Sequence, residues 1–366
     1  MNRKNSIGSN ASNASNASNA GNAGNAGNVG NASNAGNAGN ASNAGNAGNS
    51  NNNLNQIQFI NFINHLLTFN KQMELLYIQK PSEKNKPFRF NISSNVIIKL
   101  CDLVKPILYG EPNTLNITAP INIFGDIHGQ VSDMIHFLEM TGLPPNHKFL
   151  FMGDYVDRGN NSIEVCALLF SLKIMYPQHI YILRGNHECP EVNSMYGFLN
   201  ECEMRFGEEG KNVFNKINDV LCVLPLCAII NQKIFCVHGG ISPHLKKITD
   251  INKINRFMKI PDSGLLCDLM WSDPNNSNDT WGINSRGISC TYNSNAVETF
   301  LNNNNLQLVC RAHQLVSEGY KFSHNNKLIT VFSAPNYCGN CGNDGAVMKI
   351  TEDLVCSFII IKPTNT

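Results

Sequence analysis

One arrangement recurs from residue 120 onward and constrains the fold more than any other feature of the sequence. A short run of β-branched or aromatic residues is followed at once by glycine and polar residues. This happens six times: INIF before GDIHG, FLFM before GDYVDRG, IYIL before RGNHE, IFCV before HGG, LQLVC before RAH, and ITVF before SAPNY. Each run has the length of a buried strand, and segments of helical periodicity separate several of them. Since ligands of α/β sheets bind where strands end, the pattern predicts an α/β fold of β-α-β units with one shared site.

The side chains at these predicted strand ends are mostly oxygen and nitrogen donors. They are Asp126, His128, Asp154, Asp157, Arg158, Asn186, His187, His238, Arg311 and His313. Carboxylate, imidazole and amide groups suit divalent Mn, Fe or Zn. So many of them beside arginines predict two metal ions that share a carboxylate, hold a hydroxide between them and direct it at a phosphoester.

Each of these residues also has a plainer interpretation. Asp126 could cap the helix that follows it, His238 or His313 could be an ordinary buried histidine, and Arg158 or Arg311 could pair with a neighbouring acid. These interpretations would have to hold at every strand end at once. We therefore favour the metal site.

The amino-terminal part of the chain differs in composition from the rest. Residues 5–53 are almost entirely Asn, Ala, Gly and Ser in N-A-S and N-A-G triplets. Such a tract buries too little apolar surface to offset the entropy of ordering it, which predicts a disordered arm over residues 1–53. Residues 54–366 are predicted to form a single domain. In it, residues 54–78 have helical spacing, residues 80–90 form a loop, and Ser93 or Ser94 caps a second helix.

Charge and cysteine content restrict the class of protein. The formal net charge of +1 argues against broad capture of nucleic acid or of an acidic membrane. No apolar run reaches the length of a membrane span. An odd number of cysteines, 13, is typical of reduced thiols rather than of a disulfide framework. We expect a soluble protein of the cytoplasm, the nucleus or both.

The motifs GDIHGQ, GDYVDRG, LRGNHE, HGG, WSDP, RAHQ and SAPNYCG, in this order, resemble the catalytic domain of the phosphoprotein phosphatase family of serine/threonine phosphatases. The resemblance covers roughly residues 92–363. The segments GLLCDLMWSDP and VCSFIIIKP are most similar to the type 1 enzymes, whereas the CGN at residues 341–343 is spelled as in type 2A. The resemblance implies a metallophosphoesterase β-sandwich flanked by helices, and hydrolysis of phosphoserine and phosphothreonine in proteins.

The resemblance also implies a role for each site residue. One metal ion would be bound by Asp126, His128 and Asp154, and the second by Asp154, Asn186, His238 and His313. The phosphate would be held by Arg158, Arg286 and Asn186, with Tyr337 facing it. His187, oriented by Asp157, would protonate the leaving oxygen, a role that also suits an imidazole near neutral pH.

Regulatory partners are a further implication. Type 1 enzymes bind R-V-x-F peptides in an apolar groove, and Ile234, Leu308, Phe322 and Phe358 stand at the matching positions. Ordinary core packing explains four apolar residues in strands about equally well.

Two other functions stay open on the sequence. A small-molecule phosphoesterase, such as a dinucleoside-polyphosphate hydrolase, shares the GDxHG and GNHE signatures. A scaffold or redox module could be built around Cys338 and Cys341, which form a C-x-x-C motif.

Overall fold

The computed structural model describes residues 60–80 and 89–363. The arm predicted over residues 1–53 lies outside the described residues. So do residues 54–59 of the first predicted helix and residues 81–88 of the predicted loop.

The described residues form fourteen strands and nine α-helices, apart from helical residues 60–67. The strands are β1 Thr114–Ile117, β2 Ile121–Phe124, β3 Phe149–Phe151, β4 Ile180–Ile182, β5 Cys227–Ile230, β6 Ile234–Val237, β7 Asp273–Pro274, β8 Trp281–Ile283, β9 Cys290–Tyr292, β10 Leu308–Arg311, β11 Tyr320–Ser323, β12 Leu328–Val331, β13 Gly345–Ile350 and β14 Cys356–Ile361. The helices are α1 Phe69–Gln79, α2 Ser94–Tyr109, α3 Val131–Thr141, α4 Ser162–Met175, α5 Pro190–Asn193, α6 Phe198–Phe206, α7 Gly210–Leu221, α8 Leu265–Trp271 and α9 Ser294–Asn304.

Two sheets pack face to face and form the centre of the fold. One sheet has the strand order β1-β5-β6-β10-β12-β11, and the other has the order β14-β13-β2-β3-β4. Apolar side chains from both sheets, among them Ile123, Leu150, Cys236, Ile329 and Met348, form one buried cluster between them. A small third sheet has the order β7-β9-β8.

Helices cover the outer faces of the sandwich. On the five-stranded sheet, Phe124 and Phe151 pack in one cluster with Phe137 of α3 and with residues of α2, α4, α6 and α7. On the six-stranded sheet, Phe235 and Val309 pack with Leu269 and Val297 from α8 and α9. The α/β class and the sandwich flanked by helices, both predicted above, are therefore confirmed.

All six predicted strands are present, as β2, β3, β4, β6, β10 and β12. The helical segments predicted after the first two are α3 and α4. Helix α2 follows Ser93, as predicted, but the Ser93 side chain makes no capping hydrogen bond. The start of this helix was therefore predictable from the sequence, whereas the absence of a capping hydrogen bond was not.

The strand ends that carry polar residues meet at one edge of the sandwich. Strands β2, β3 and β4 run parallel in one sheet, and β6, β10 and β12 run parallel in the other. The two sheets touch just beyond β2, where an ideal Cβ on Gly125 would lie 2.0 Å from the carbonyl oxygen of Val331. Only glycine permits this approach, and it brings the polar clusters of both sheets within reach of each other.

Two predictions about the class of protein can be compared with the structure. No helix among the described residues is long and apolar enough to cross a membrane. All 13 cysteines lie in the described part of the chain, and all are free thiols.

A buried carboxylate from one helix fixes the start of another. Glu201 in α6 accepts hydrogen bonds from the backbone N–H groups of Ser162 (3.0 Å) and Ile163 (3.1 Å), which are unpaired donors in the first turn of α4. Burial outweighs these bonds and raises the pKa of Glu201 from 4.5 to about 7. A raised pKa in the folded protein means that folding favours the protonated form.

We predict that this carboxylate makes stability depend on pH. The contribution of Glu201 is fully present below pH 4.5 and is lost as pH rises through 7, a change of about 3 kcal/mol in the free energy of unfolding. Glu201→Gln removes the titration, so the stability of this variant relative to the wild type should increase between pH 5 and pH 7.5. Urea unfolding at several pH values measures it. Glu203→Gln, at an exposed position of α6, is the matched control, and a pH-independent difference for Glu201→Gln would contradict the assignment.

Candidate metal centre

Asp154 lies at the centre of the converging strand ends, between two histidines. Its Oδ2 is 3.5 Å from Nε2 of His128, and its Oδ1 is 3.3 Å from Nε2 of His238. Nε2 of His238 is in turn 3.2 Å from Nδ1 of His313. Nε2 of His128 lies 3.8 Å from Oδ2 of Asp126. All five side chains are buried, and they come from both sheets.

The donor atoms form two groups that share Asp154. In each group the ligand atoms lie within 4.8 Å of one another: Asp154, His238 and His313 in one, and His128, Asp154 and His187 in the other. The first group contains three of the four residues predicted for the second metal ion, and the fourth, Asn186, lies beside them. The other group contains His187, whereas the prediction for the first metal ion used Asp126 in its place. The carboxylate of Asp126 lies beside His128, which belongs to both the prediction and the group.

The backbone at these positions is unusual for residues with side chains. His128, Asp154, Asp157, Arg158 and His313 all have positive φ, between 47° and 74°. Such a conformation is unfavourable for a residue with a Cβ and persists only where the surrounding structure enforces it. The side chains of the site are thus aimed by strained loops directly after the strands.

Backbone carbonyls orient two of the imidazoles. Nδ1 of His128 donates to the carbonyl of Val156, and Nδ1 of His238 donates to the carbonyl of Met152, each at 2.9 Å. In both rings this turns Nε2 towards Asp154. A histidine that binds a metal ion is typically held in this way by a hydrogen bond from its other nitrogen.

Burial and mutual charge determine the protonation of the cluster. Burial, with the nearby His187, lowers the pKa of His128 to about 3, so its lone pair is free at neutral pH. Burial likewise lowers the pKa of His313 well below its ordinary value. Burial and the neighbouring Asp154 raise the pKa of Asp126 to about 6. Burial opposes ionisation of Asp154, but His238 and His187 outweigh it and hold its pKa well below the ordinary value.

The contacts of the Asn186 amide show whether these groups suit a cation. Its Oδ1 lies 2.8 Å from Nε2 of His238 and 2.8 Å from Nδ1 of His313, so the lone pairs of three acceptors face each other. Rotating the amide would relieve this by placing Nδ2 towards the same atoms. A cation among the three acceptors would instead make the observed orientation favourable. The donor set therefore fits a divalent metal ion.

A histidine–carboxylate pair lies beside the cluster. Nδ1 of His187 is 2.5 Å from Oδ2 of Asp157, whose Oδ1 accepts from the backbone N–H of Phe198 at 3.0 Å. Burial alone lowers the pKa of His187, but Asp154 and Asp157 outweigh it and raise the pKa above its ordinary value. The sequence predicted this pair, and the structure places the two side chains in contact.

The arginines near the site differ in how they are held. Arg158 is exposed, and its guanidinium stacks 4.1 Å from the ring centre of Tyr196. Nε of Arg286 donates to Asp273 at 2.6 Å. Arg311 is buried and donates to the same carboxylate at 2.9 Å, so the plainer interpretation of a paired arginine holds for it.

Tyr337 and the C-x-x-C motif lie on the loop after β12. The ring centre of Tyr337 is 5.1 Å from that of His128, which places it against the cluster, and burial raises its pKa. Cys338 and Cys341 are exposed free thiols. The motif thus borders the site without joining it.

Sequence reasoning missed two residues that support the site. Glu188 is buried and accepts from the backbone N–H groups of Asp154 (2.7 Å), Tyr155 (2.9 Å) and Gly185 (2.8 Å), which ties the loop after β3 to the loop after β4. The only signal was its place beside His187 in RGNHE. Tyr196, which supports Arg158, carries no signal in the sequence.

Comparisons with known proteins agree with this geometry. The family described as Calcineurin-like phosphoesterase matches residues 119–317. The solved structure of a protein serine/threonine phosphatase from Saccharomyces cerevisiae, described as similar to human phosphatase PP5, is 29% identical. That match covers 81% of this chain and 97% of the yeast chain with a TM-score of 0.70.

A cold-active protein-tyrosine phosphatase from a psychrophilic Shewanella species is 14% identical. It covers 71% of this chain and 85% of its own, with a TM-score of 0.49, which is too weak to bear on function. The family match spans more than half of the chain and contains all of the buried donor cluster. The chain therefore belongs to the Calcineurin-like phosphoesterases.

Proposed function

We propose that the protein hydrolyses phosphoserine and phosphothreonine in other proteins, by direct attack of water activated at two divalent metal ions. The observation that carries the proposal is the adjacency of a shared-carboxylate donor cluster and the His187–Asp157 pair. The donor cluster provides a site for metal ions, and the His187–Asp157 pair provides a proton donor for the leaving group. Mn, Fe or Zn would each suit the ligands.

His187 would protonate the leaving oxygen. Asp157 accepts from Nδ1, which leaves Nε2 as the nitrogen that can deliver a proton. The raised pKa of His187 keeps the ring protonated nearer to neutral pH, as a general acid requires. The backbone N–H of His187 donates to Asp154 at 3.0 Å, so the acid is fixed relative to the metal ligands.

The phosphate would be held by Arg158, Arg286 and Asn186, with Tyr337 beside them. When bound, two divalent ions would lower the pKa of a shared water and neutralise phosphate oxygens. Arg158 is exposed and stacked on Tyr196, so its guanidinium is already oriented for an incoming anion. Its five donors suit two phosphate oxygens at once.

A protein substrate is favoured over a small molecule by two observations. A surface groove of about 790 Å³ extends from Arg158 and Cys338 to Lys362, which suits a segment of polypeptide. The yeast serine/threonine phosphatase also matches over 97% of its length. Within that class, the sequence resembles the type 1 enzymes most.

The choice of substrate can be measured directly. The purified protein, loaded with Mn²⁺, should release phosphate from a phosphothreonine peptide with a higher kcat/KM than it cleaves a dinucleoside polyphosphate. The reverse order would favour the small-molecule phosphoesterase. Absence of both hydrolysis and stoichiometric metal would favour a scaffold.

We predict that His187→Asn lowers kcat on a phosphopeptide by about 10²–10⁴-fold with little loss of bound metal, because the variant lacks the general acid. His244→Asn, at an exposed position of the loop after β6, is the control and should keep full activity. Turnover and metal content are measured on the same preparations. Unchanged turnover of His187→Asn would contradict the role of this residue.

The metal ligands generate a separate prediction. His238→Gln should weaken binding of Mn²⁺ at least about tenfold, because it removes a buried nitrogen from the group containing Asp154 and His313. Titration calorimetry with Mn²⁺ measures the affinity, and His136→Gln is the control. Equal affinity in both variants would show that the ions bind elsewhere.

Regulatory subunits are proposed to bind near the four residues at the R-V-x-F positions. Ile234 and Leu308 are buried between the sheets, as ordinary packing predicts. Phe322 and Phe358 border a surface groove of about 650 Å³ together with Tyr320, whose ring stacks on Phe358 at 3.8 Å. Strand β11, which carries Phe322, is at the edge of its sheet, so a peptide strand could add there.

We predict that a fluorescent R-V-x-F peptide binds the protein and that the same peptide with Ala at the Val and Phe positions does not. Phe322→Ala should weaken binding by about tenfold, since a large apolar contact is lost. Fluorescence anisotropy measures both affinities, and retained phosphatase activity shows that the variant is folded. Equal binding of the two peptides would remove the proposed groove.

A further inference from the structure

Residues 193–198, which join α5 to α6, contact two groups that have different tasks in the proposed reaction. The central residue of the contact is Tyr196, whose side chain is half-buried. The guanidinium of Arg158 lies over the Tyr196 ring, 4.1 Å from its centre. The ring centre of His187 lies 5.5 Å from that of Tyr196, and the two rings are tilted by 56°. One aromatic side chain therefore touches both the proposed phosphate-binding arginine and the proposed general acid.

The backbone of the same connection is bonded to the loop that carries Arg158. The backbone N–H of Arg158 donates to the carbonyl of Tyr196 at 3.1 Å. The backbone N–H of Phe198, the first residue of α6, donates to Oδ1 of Asp157 at 3.0 Å. Oδ2 of the same carboxylate is the partner of His187. These bonds fix the backbone that carries the Tyr196 ring relative to both groups.

A buried pair of amides anchors the other end of the connection. Nδ2 of Asn193 donates to Oδ1 of Asn218 at 2.8 Å, and Nδ2 of Asn218 donates back to Oδ1 of Asn193 at 3.2 Å. Nδ2 of Asn193 also donates to the backbone carbonyl of His187 at 3.0 Å. Both asparagines are buried. A buried polar network whose members are paired in this way is rigid, so the start of the connection is fixed to the backbone of the general acid.

The exposed guanidinium depends on this support more than the imidazole does. In the part of the chain that the structure describes, the side chain of Arg158 forms no hydrogen bond and no ion pair. Fixing a free arginine side chain when an anion binds costs conformational entropy, and stacking on a ring restricts the side chain beforehand. His187 is buried and already bonded to Asp157, so the ring of Tyr196 adds less to its orientation.

We infer that Tyr196 is a positioning residue shared by Arg158 and His187, and that it sets the place of the bound phosphate relative to the acid that protonates the leaving oxygen. The tasks of the two residues are those of the proposed function, on which the inference rests. Loss of the ring would weaken phosphate binding through Arg158 and lower turnover through His187. The hydroxyl group is not needed, because both side-chain contacts are made to the ring.

The test uses the full chain loaded with stoichiometric Mn²⁺ and two measurements. Titration calorimetry gives the affinity for inorganic phosphate, and hydrolysis of a phosphothreonine peptide gives kcat. Tyr196→Phe keeps the ring and should behave as the wild type does. Tyr196→Leu should bind phosphate about tenfold more weakly and have a kcat about threefold lower. Tyr109→Leu, at an exposed position of α2, is the matched control and should change neither value.

Two double variants distinguish positioning from a general loss of structure. In Arg158→Ala, the addition of Tyr196→Leu should no longer weaken phosphate binding but should still lower kcat. In His187→Asn, the same addition should weaken phosphate binding but should not lower kcat further. Such non-additivity is expected only where one residue acts through the other.

Equal losses in every background would show that the ring only stabilises its loop and would overturn the inference. A Tyr196→Leu variant that binds phosphate as tightly as the wild type would also overturn it. If the wild type cleaves no phosphopeptide, the proposed function fails, and the phosphate affinities alone decide whether Tyr196 positions Arg158.

Discussion

The carboxylate of Asp154 is the group on which the arrangement of the site depends. It belongs to a loop of the five-stranded sheet, yet one of its oxygens lies 3.3 Å from His238 of the six-stranded sheet. The same oxygen accepts from the backbone N–H of His187, and the other oxygen lies 3.5 Å from Nε2 of His128. This buried carboxylate thus connects three loops and both sheets. The histidines that these loops place around it hold its pKa low, so it stays ionised despite its burial.

The contact between the sheets makes this geometry possible. Gly125 has no Cβ, so the chain after β2 passes close to Val331 of the facing sheet. Glu188 then joins the loops after β3 and β4 through three backbone hydrogen bonds. These supports are buried and made to backbone groups, and they maintain the strained conformations of His128 and Asp154.

Much of this could be predicted from sequence, because strands and their ends are local features. Six apolar runs gave six strands, and the polar residues after them converge, since parallel strands of a sandwich end at a common edge. Arg311 shows the limit of that reasoning. It stands at a strand end as Arg158 does, but it is buried against Asp273, a partner 38 residues away in sequence. Only the packing of β10 near β7 determines that contact.

The contact between Arg158 and Tyr196 could not be predicted from the sequence either. The position of a ring under a guanidinium depends on the course of a loop, which leaves no pattern in the sequence. The buried Oδ1 of Asn122, which has no hydrogen-bond partner among the described residues, is a similar case. In the sequence INIF this residue is merely one polar position in a strand, and its lack of a partner emerges only when the surrounding loops are placed.

The origin of the donor cluster in two separate sheets has a thermodynamic consequence. Sliding one sheet over the other would separate His238 and His313 from Asp154, so the cluster exists only while the sandwich is closed. Any ion bound there binds the folded form in preference to the unfolded one, and its free energy of binding adds to that of folding by mass action. The concentration of free metal would then set the resistance of the whole sandwich to heat and to proteolysis.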